Sequence, residues 1–269
     1  MPFVQYYPCS ILKGRLYLGD ANHATSKYVI KNMRITHIAN ITDVVPRCFE
    51  DSDETSPRLN HKVNYLQIVV CDRDHVEIID YFPDFYWFLE DAYRTNLHEH
   101  WQEMEEDVTL GLQNHTVNFD QKTVQKSYKN PLQEKFDHIA NKTVKRISHN
   151  KVLVHCQMGR SRSATLVIMY MLYKTLVDKC QIDCTAEEMT KYVQSRRSVV
   201  DPNKGFMAQI KQFEELVRNG EMRKRVQEHQ NKCTCDDQVY LSTDQQEASP
   251  QTGLEEESKE FIDQQIKNL

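Results

Sequence analysis

Between Val152 and Ala164 the chain reads Val-Leu-Val-His-Cys-Gln-Met-Gly-Arg-Ser-Arg-Ser-Ala, and three of its residue types can do chemistry together. Cys156 offers a sulfur nucleophile, Arg162 a guanidinium six positions on, and Ser163 a hydroxyl. Apolar residues before the cysteine and after the arginine predict a strand, a tight loop and a helix N-terminus. Free backbone N–H groups and the positive end of the helix dipole meet at such a junction, which makes it an anion cradle. Gly159, one of seven glycines, lets the loop close around a ligand without a Cβ clash. A thiol in that setting falls from a pKa of about 8.5 to about 3.5–7.5, and each unit favours the thiolate by about 1.4 kcal/mol. The arginine fork matches two phosphate oxygens as a lysine does not. The expected chemistry is attack of the Cys156 thiolate on phosphorus and a phosphocysteine intermediate. Ser163 is placed to stabilise the departing thiolate and His155 to orient the loop.

The bare spacing is weak. With 8 cysteines and 14 arginines in 269 residues, roughly 0.4 such pairs arise by chance, and a second pair exists, Cys9 to Arg15. That copy has no preceding apolar strand, misplaces its glycine and runs into the strand-like Leu16-Tyr17-Leu18. It reads as a decoy, whereas the Cys156 copy has the flanking strand, histidine and helix.

The surrounding elements alternate. Ile11–Gly19 and Ile35–Thr42 read as strands, with a helix from about Asn22 to Met33 between them. Residues 43–62 are loop-like, Val63–Cys71 is an apolar strand ending at Asp72, and Ile78–Tyr93 an aromatic-rich helix. Residues 96–131 have no clean period and read as an inserted loop; helical patterning returns over Pro131–His149. Lys151–Val154 is a short buried strand, and Arg162–Lys179 a helix apolar nearly all round, hence central. Thr185–Ser195 forms another helix, and Phe206, Ile210, Phe213 and Val217 mark the stripe of an amphipathic one. The expected fold is α/β, a central mostly parallel sheet flanked by helices, with the site at a strand's carboxyl end.

His155–Ser163 resembles the signature loop of the dual-specificity protein phosphatases, within the cysteine-based protein tyrosine phosphatase superfamily. Ile11–Gly19 is similar to that family's N-terminal strand, and Ile35–Thr42 to its next one. Asp72 followed by Tyr81-Phe82-Pro83 resembles the family's acid loop and following helix. Val199-Val200-Asp201-Pro202-Asn203-Lys204-Gly205-Phe206 is similar to its turn into the last helix. The resemblance covers about residues 8–218 and departs at residues 96–131 and in a lengthened loop near 48–62. It implies a catalytic domain over residues 1–228; beyond it the sequence turns Gln-, Asp- and Glu-rich with little to bury, so an acidic, disordered tail is expected over 229–269. It also implies phosphate held by His155, Gln157, Met158, Gly159, Arg160, Ser161 and Arg162.

Phosphocysteine chemistry needs a proton donor for the leaving oxygen and then a base for water. Asp72 is the expected residue, with Asp74 the alternative two positions on. The catalytic set is thus Cys156, Arg162, Asp72 and Ser163, acting without metal or other cofactor. The expected function is hydrolysis of phosphotyrosine and phosphoserine/threonine on protein substrates. A catalytically silent phosphoprotein-binding module and a phosphatase of RNA 5′ ends, phosphoinositides or carbohydrate phosphate are the rivals. A protein kinase is a candidate partner.

Cys71, beside the proposed acid, reads as a plain strand-end cysteine, with a disulfide to Cys156 as the alternative. Cys180/Cys184, Cys233/Cys235 and His98-Glu99-His100 lack an ordered zinc pattern.

Composition agrees with this class. The net charge is −5, but residues 236–269 hold nine acidic and two basic side chains, leaving the rest mildly basic. That suits phosphorylated partners and is too weak for duplex nucleic acid. No apolar run approaches the roughly 20 residues that cross a bilayer, and Met1-Pro2-Phe3-Val4-Gln5 does not read as a signal peptide. The expectation is a cytoplasmic protein, with the nucleus open as a second location and no membrane partner.

Overall fold

The computed structural model describes residues 6–50, 59, 61–94, 150–177 and 183–232. The segment expected as an insertion and the acidic stretch from residue 233 lie outside them, as do Pro131–His149, His98, Cys180 and Cys233.

Ile11–Gly19 is not one strand but part of a hairpin. β1 (Cys9–Leu12) pairs antiparallel with β2 (Leu16–Gly19). The chain reverses over Lys13-Gly14-Arg15, where Gly14 adopts φ +74° and the Arg15 N–H donates to the Leu12 carbonyl at 3.0 Å. A left-handed glycine inside an otherwise apolar run is the signal for that turn. The expected helix Asn22–Met33 is also divided, into α1 (Ala21–Thr25) and α2 (Lys27–Met33). Ser26 breaks it by capping α2, its hydroxyl accepting from the Val29 amide at 3.3 Å.

β3 (His37–Asn40) and β4 (Asn64–Gln67) follow, both shorter than their apolar runs suggest. Ile68 still donates to the Asn40 carbonyl, after which the chain leaves the sheet while Ile68 and Val70 stay buried. A 3-10 turn at Ile78–Tyr81 leads into α3 (Phe82–Arg94). β5 (Val152–His155) then lies between β2 and β3, parallel to both, in the order β1-β2-β5-β3-β4. Three of the four strand pairings are parallel, as expected.

Alternation along the strands divides the core in two. Val152 and Val154 of β5, with Leu16 and Leu18 of β2, face a large core under the later helices. Leu153 and Ile38 face a smaller one with Ala24, Ile30 and Leu59. The large core is organised around α4 (Arg162–Val177), which is buried along nearly its whole length. Around it pack α3, α5 (Ala186–Arg196) and α6 (Lys204–Arg218), whose Phe206–Val217 stripe is buried as expected. Phe82 meets Phe213 edge-on at 4.5 Å between centroids, and Tyr86 meets Tyr173 at 5.0 Å. Such aromatic pairs add about 0.5–1.5 kcal/mol beyond their buried area.

A last helix, α7 (Glu221–Lys232), is not evident in the sequence pattern, and it carries regular structure through residues 229–232, the start of the segment expected as a disordered tail. Gly220 at φ +81° turns the chain back, and Met222 and Val226 bury against the core. Trp87 Nε1 donates to the Val226 carbonyl at 2.8 Å. Two buried apolar side chains in twelve residues are too few to stand out as a period.

Candidate active site

The central strand β5 delivers the chain into residues 156–161, and α4 begins at Arg162, so the loop sits at the carboxyl end of the sheet. It is held from behind. The Ile41 amide donates to the His155 carbonyl at 2.8 Å and the Ala21 amide to the Gln157 carbonyl at 3.1 Å. Arg197, buried at the end of α5, donates from Nη2 to the Met158 carbonyl at 3.1 Å and from Nε to the Gly159 carbonyl at 3.0 Å. Asp20 partners that guanidinium at 3.3 Å. Gly159 adopts φ +61°, and a Cβ there would come within 2.1 Å of the Gly19 carbonyl oxygen. Glycine is therefore required by both conformation and space.

Cys156 is 1% exposed, and Ser163 Oγ donates to its sulfur at 3.2 Å. Burial pushes the thiol up, since it disfavours the charged form. The Ser163 hydroxyl and amide, the Arg162 charge and the Arg160 amide together outweigh it, and the thiol lies below its ordinary value. His155 is held the other way. Burial lowers it to about 4, so the ring is neutral at physiological pH. Its Nδ1 lies 3.3 Å from the Cys156 carbonyl, a contact that places the ring proton on that nitrogen.

Arg162 is buried beneath the loop, its Nη1 donating to the Val70 carbonyl at 3.1 Å and to Asp43 Oδ1 at 3.4 Å. Its Nε is buried without a hydrogen-bond partner, 3.6 Å from Asp72 Oδ2. A guanidinium fixed by one arm with a donor left open is suited to take an anionic oxygen. Asp72 Oδ1 accepts from Ser161 Oγ at 2.7 Å and from Asn203 Nδ2 at 2.9 Å. The structure thus brings Asp72 to the loop. Asp74 meets α6 through its backbone, beside Gly205.

The other loop residues divide by what their side chains do. Ser161 turns to Asp72, and its oxygen also accepts from the Asn203 amide at 3.2 Å. Arg160 pairs with Asp201 on the turn before α6, so its charge is matched. Met158 is exposed at the rim of a cleft of about 560 Å³, lined also by Arg160, Arg197, Val199 and Asp201. Gln157 is exposed and enters the frame through its carbonyl. The decoy pair forms no loop of this kind: Cys9 lies on β1, where its sulfur accepts from Arg197 Nη1 at 3.9 Å, and Arg15 stacks over the Tyr93 ring at 5.6 Å. Cys71 and Cys156 are both free thiols. Among the described residues no cluster of three or more His, Cys, Asp or Glu could hold a metal ion.

Sequence reasoning missed Asp20, Arg197 and Asn203. Asn203 had a signal, since Pro-Asn before an apolar helical stripe reads as an N-cap. Arg197 had none, because a buried arginine beside an ordinary one looks no different in sequence.

Residues 96–216 match the family described as dual specificity phosphatase, catalytic domain. Dual specificity protein phosphatase Mpk3 of Drosophila melanogaster is 23% identical over 211 residues, 78% of this chain and 35% of that protein. Human dual specificity protein phosphatase 4 is 45% identical over 67 residues, 25% of this chain and 15% of the other. The chain therefore spans about a third or less of these relatives. The Yvh1 phosphatase domain from Chaetomium thermophilum superposes with a TM-score of 0.47 at 22% identity, covering 75% of this chain and 90% of that one. Residues 96–216, which include the signature loop and its helix, thus resemble the catalytic domain of the dual-specificity phosphatases, and the chain is similar to members of that family over most of its length.

Proposed function

We propose that this chain hydrolyses phosphotyrosine and phosphoserine/threonine on proteins through a phosphocysteine at Cys156. The Cys156 thiolate attacks phosphorus, the S–P bond forms, and the bond to the leaving oxygen breaks. Asp72, protonated for this step, transfers its proton to that oxygen, so alcohol or phenol departs neutral. Asp72, now a carboxylate, takes a proton from water, which attacks phosphorus; the S–P bond breaks and phosphate leaves. Ser163 donates its hydroxyl hydrogen bond to the returning thiolate. Arg162 Nε and the loop amides hold the phosphoryl oxygens throughout, where developing charge is stabilised without reorganisation.

One observation carries this reading: a buried sulfur that accepts a hydroxyl hydrogen bond lies in a loop whose invading arginine keeps one donor open. A silent binding module needs the anion cradle alone and has no use for Asp72 against the loop. The test is turnover of phosphotyrosine and phosphoserine peptides by the chain and by Cys156→Ser. The parent releases phosphate and the variant does not. Asp72→Ala costs about 10²–10⁴ in rate on the phosphoserine peptide, and Asp74→Ala leaves it near the parent. Equal phosphate release by parent and Cys156→Ser overturns the reading, and loss in Asp74→Ala alone overturns the choice of acid.

A further inference from the structure

The turn into α6 does more than start a helix. Asn203 uses all its polar groups at once. Its Oδ1 caps the helix by accepting from the Phe206 amide at 2.8 Å. Its own amide donates to Ser161 Oγ at 3.2 Å, and its Nδ2 donates to Asp72 Oδ1 at 2.9 Å. Ser161 closes the triangle by donating to that same carboxylate oxygen at 2.7 Å. Two residues on, Gly205 lies so close to the acid loop that a Cβ would fall 1.8 Å from the Asp74 carbonyl oxygen. Gly205 does not have a positive φ, so its glycine is explained by contact and not by conformation.

We propose that the N-terminus of α6 is the positioning device for the general acid, with Asn203 gripping the Asp72 carboxyl and Gly205 admitting the acid-loop backbone. Asp72 otherwise sits on an exposed loop with its side chain 35% exposed, where nothing in its own segment fixes the carboxyl. Through Ser161 the same grip ties the acid to the phosphate-binding loop, so nucleophile and proton donor are set by one structure. A misplacement of about 1 Å in such a group costs on the order of a hundredfold in rate. This inference rests on the phosphatase reading above and adds two positioning residues to it.

General-acid help matters when the leaving oxygen is basic and not when it departs unprotonated. That separates positioning of the acid from general damage to the loop. Asn203→Ser keeps an N-capping side chain but cannot reach Asp72, and Gly205→Ala suits a helix while pushing the acid loop away. Each is assayed on a phosphoserine peptide and on dinitrophenyl phosphate, with thermal midpoints measured alongside. Both variants should lose about tenfold to a hundredfold in kcat on the peptide, part of the range general acids supply. Both should stay within about threefold of the parent on dinitrophenyl phosphate, because that leaving group needs no proton. Equal losses on both substrates, or no loss on either, overturn the clamp while leaving the phosphatase reading intact. Failure of the parent chain to turn over dinitrophenyl phosphate overturns the phosphatase reading and the clamp with it.

Discussion

At the scale of single residues, the decisive contest is around Cys156. Burial alone would keep the thiol protonated and inert, as it does for most buried cysteines. The Ser163 hydroxyl and amide, the Arg162 charge and the Arg160 amide reverse that outcome. In the proposed mechanism Ser163 matters twice, because the same 3.2 Å contact stabilises the sulfur at rest and would stabilise it as it leaves phosphorus. A hydrogen bond to a charged group contributes about 1.5–3 kcal/mol. Ser163→Ala should therefore raise the thiol pKa and slow phosphocysteine hydrolysis by about tenfold to a hundredfold. Rapid-quench kinetics should show a burst of leaving group followed by slow turnover, with phosphoenzyme accumulating. A uniform fall in both phases would place Ser163 outside the second step.

The elements carry a different kind of constraint. His155 ends β5 and His37 begins β3, both buried, and burial lowers each to about 4. His37 is bracketed by Thr36 Oγ1 at 2.9 Å and Asn64 Nδ2 at 3.1 Å, a pairing suited to a neutral ring. The unfolded chain binds protons at these positions near pH 6.5, while the folded chain refuses them until pH nears 4. Stability is therefore full above pH 6.5 and falls as pH drops from there towards 4, by up to about 1.4 kcal/mol per pH unit for each histidine. Urea unfolding should show the midpoint falling between pH 6.5 and pH 5; a midpoint constant across that window contradicts it. A continuous apolar run made β5 visible in the sequence, as the apolar runs around Ile38 and Leu66 did for its neighbours; Gly14 and Ser26 lie inside segments read as one strand and one helix. Their consequences, a hairpin and a split helix, depend on a positive φ and a cap, which hydrophobic period does not report. α7 escaped for the opposite reason, since its two buried apolar residues are diluted by charged ones.

Over the whole molecule, the chemistry was legible and its support was not. Cys156 and Arg162 could be named because their types and spacing are what the proposed reaction demands, and Asp72 because it ends a strand and resembles the family's acid-loop residue. Asp20 and Arg197 brace the loop and Asn203 holds Asp72, from just after β2, just after α5 and the start of α6, across sequence distances that no local pattern bridges. Ser161 and Arg160 lie inside the signature loop, yet they turn outward to Asp72 and Asp201. In the proposed mechanism the folded frame converts an ordinary thiol into a nucleophile, and that conversion can be measured on one atom. Alkylation of Cys156 by iodoacetate across a pH series, with Cys156→Ser as the blank, reads its ionisation directly. A thiolate made by this loop should keep reacting well below pH 8.5, the ordinary value for cysteine being about that. A rate that falls away around the ordinary value would mean that the loop does not activate the sulfur, and would contradict the catalytic role assigned to it.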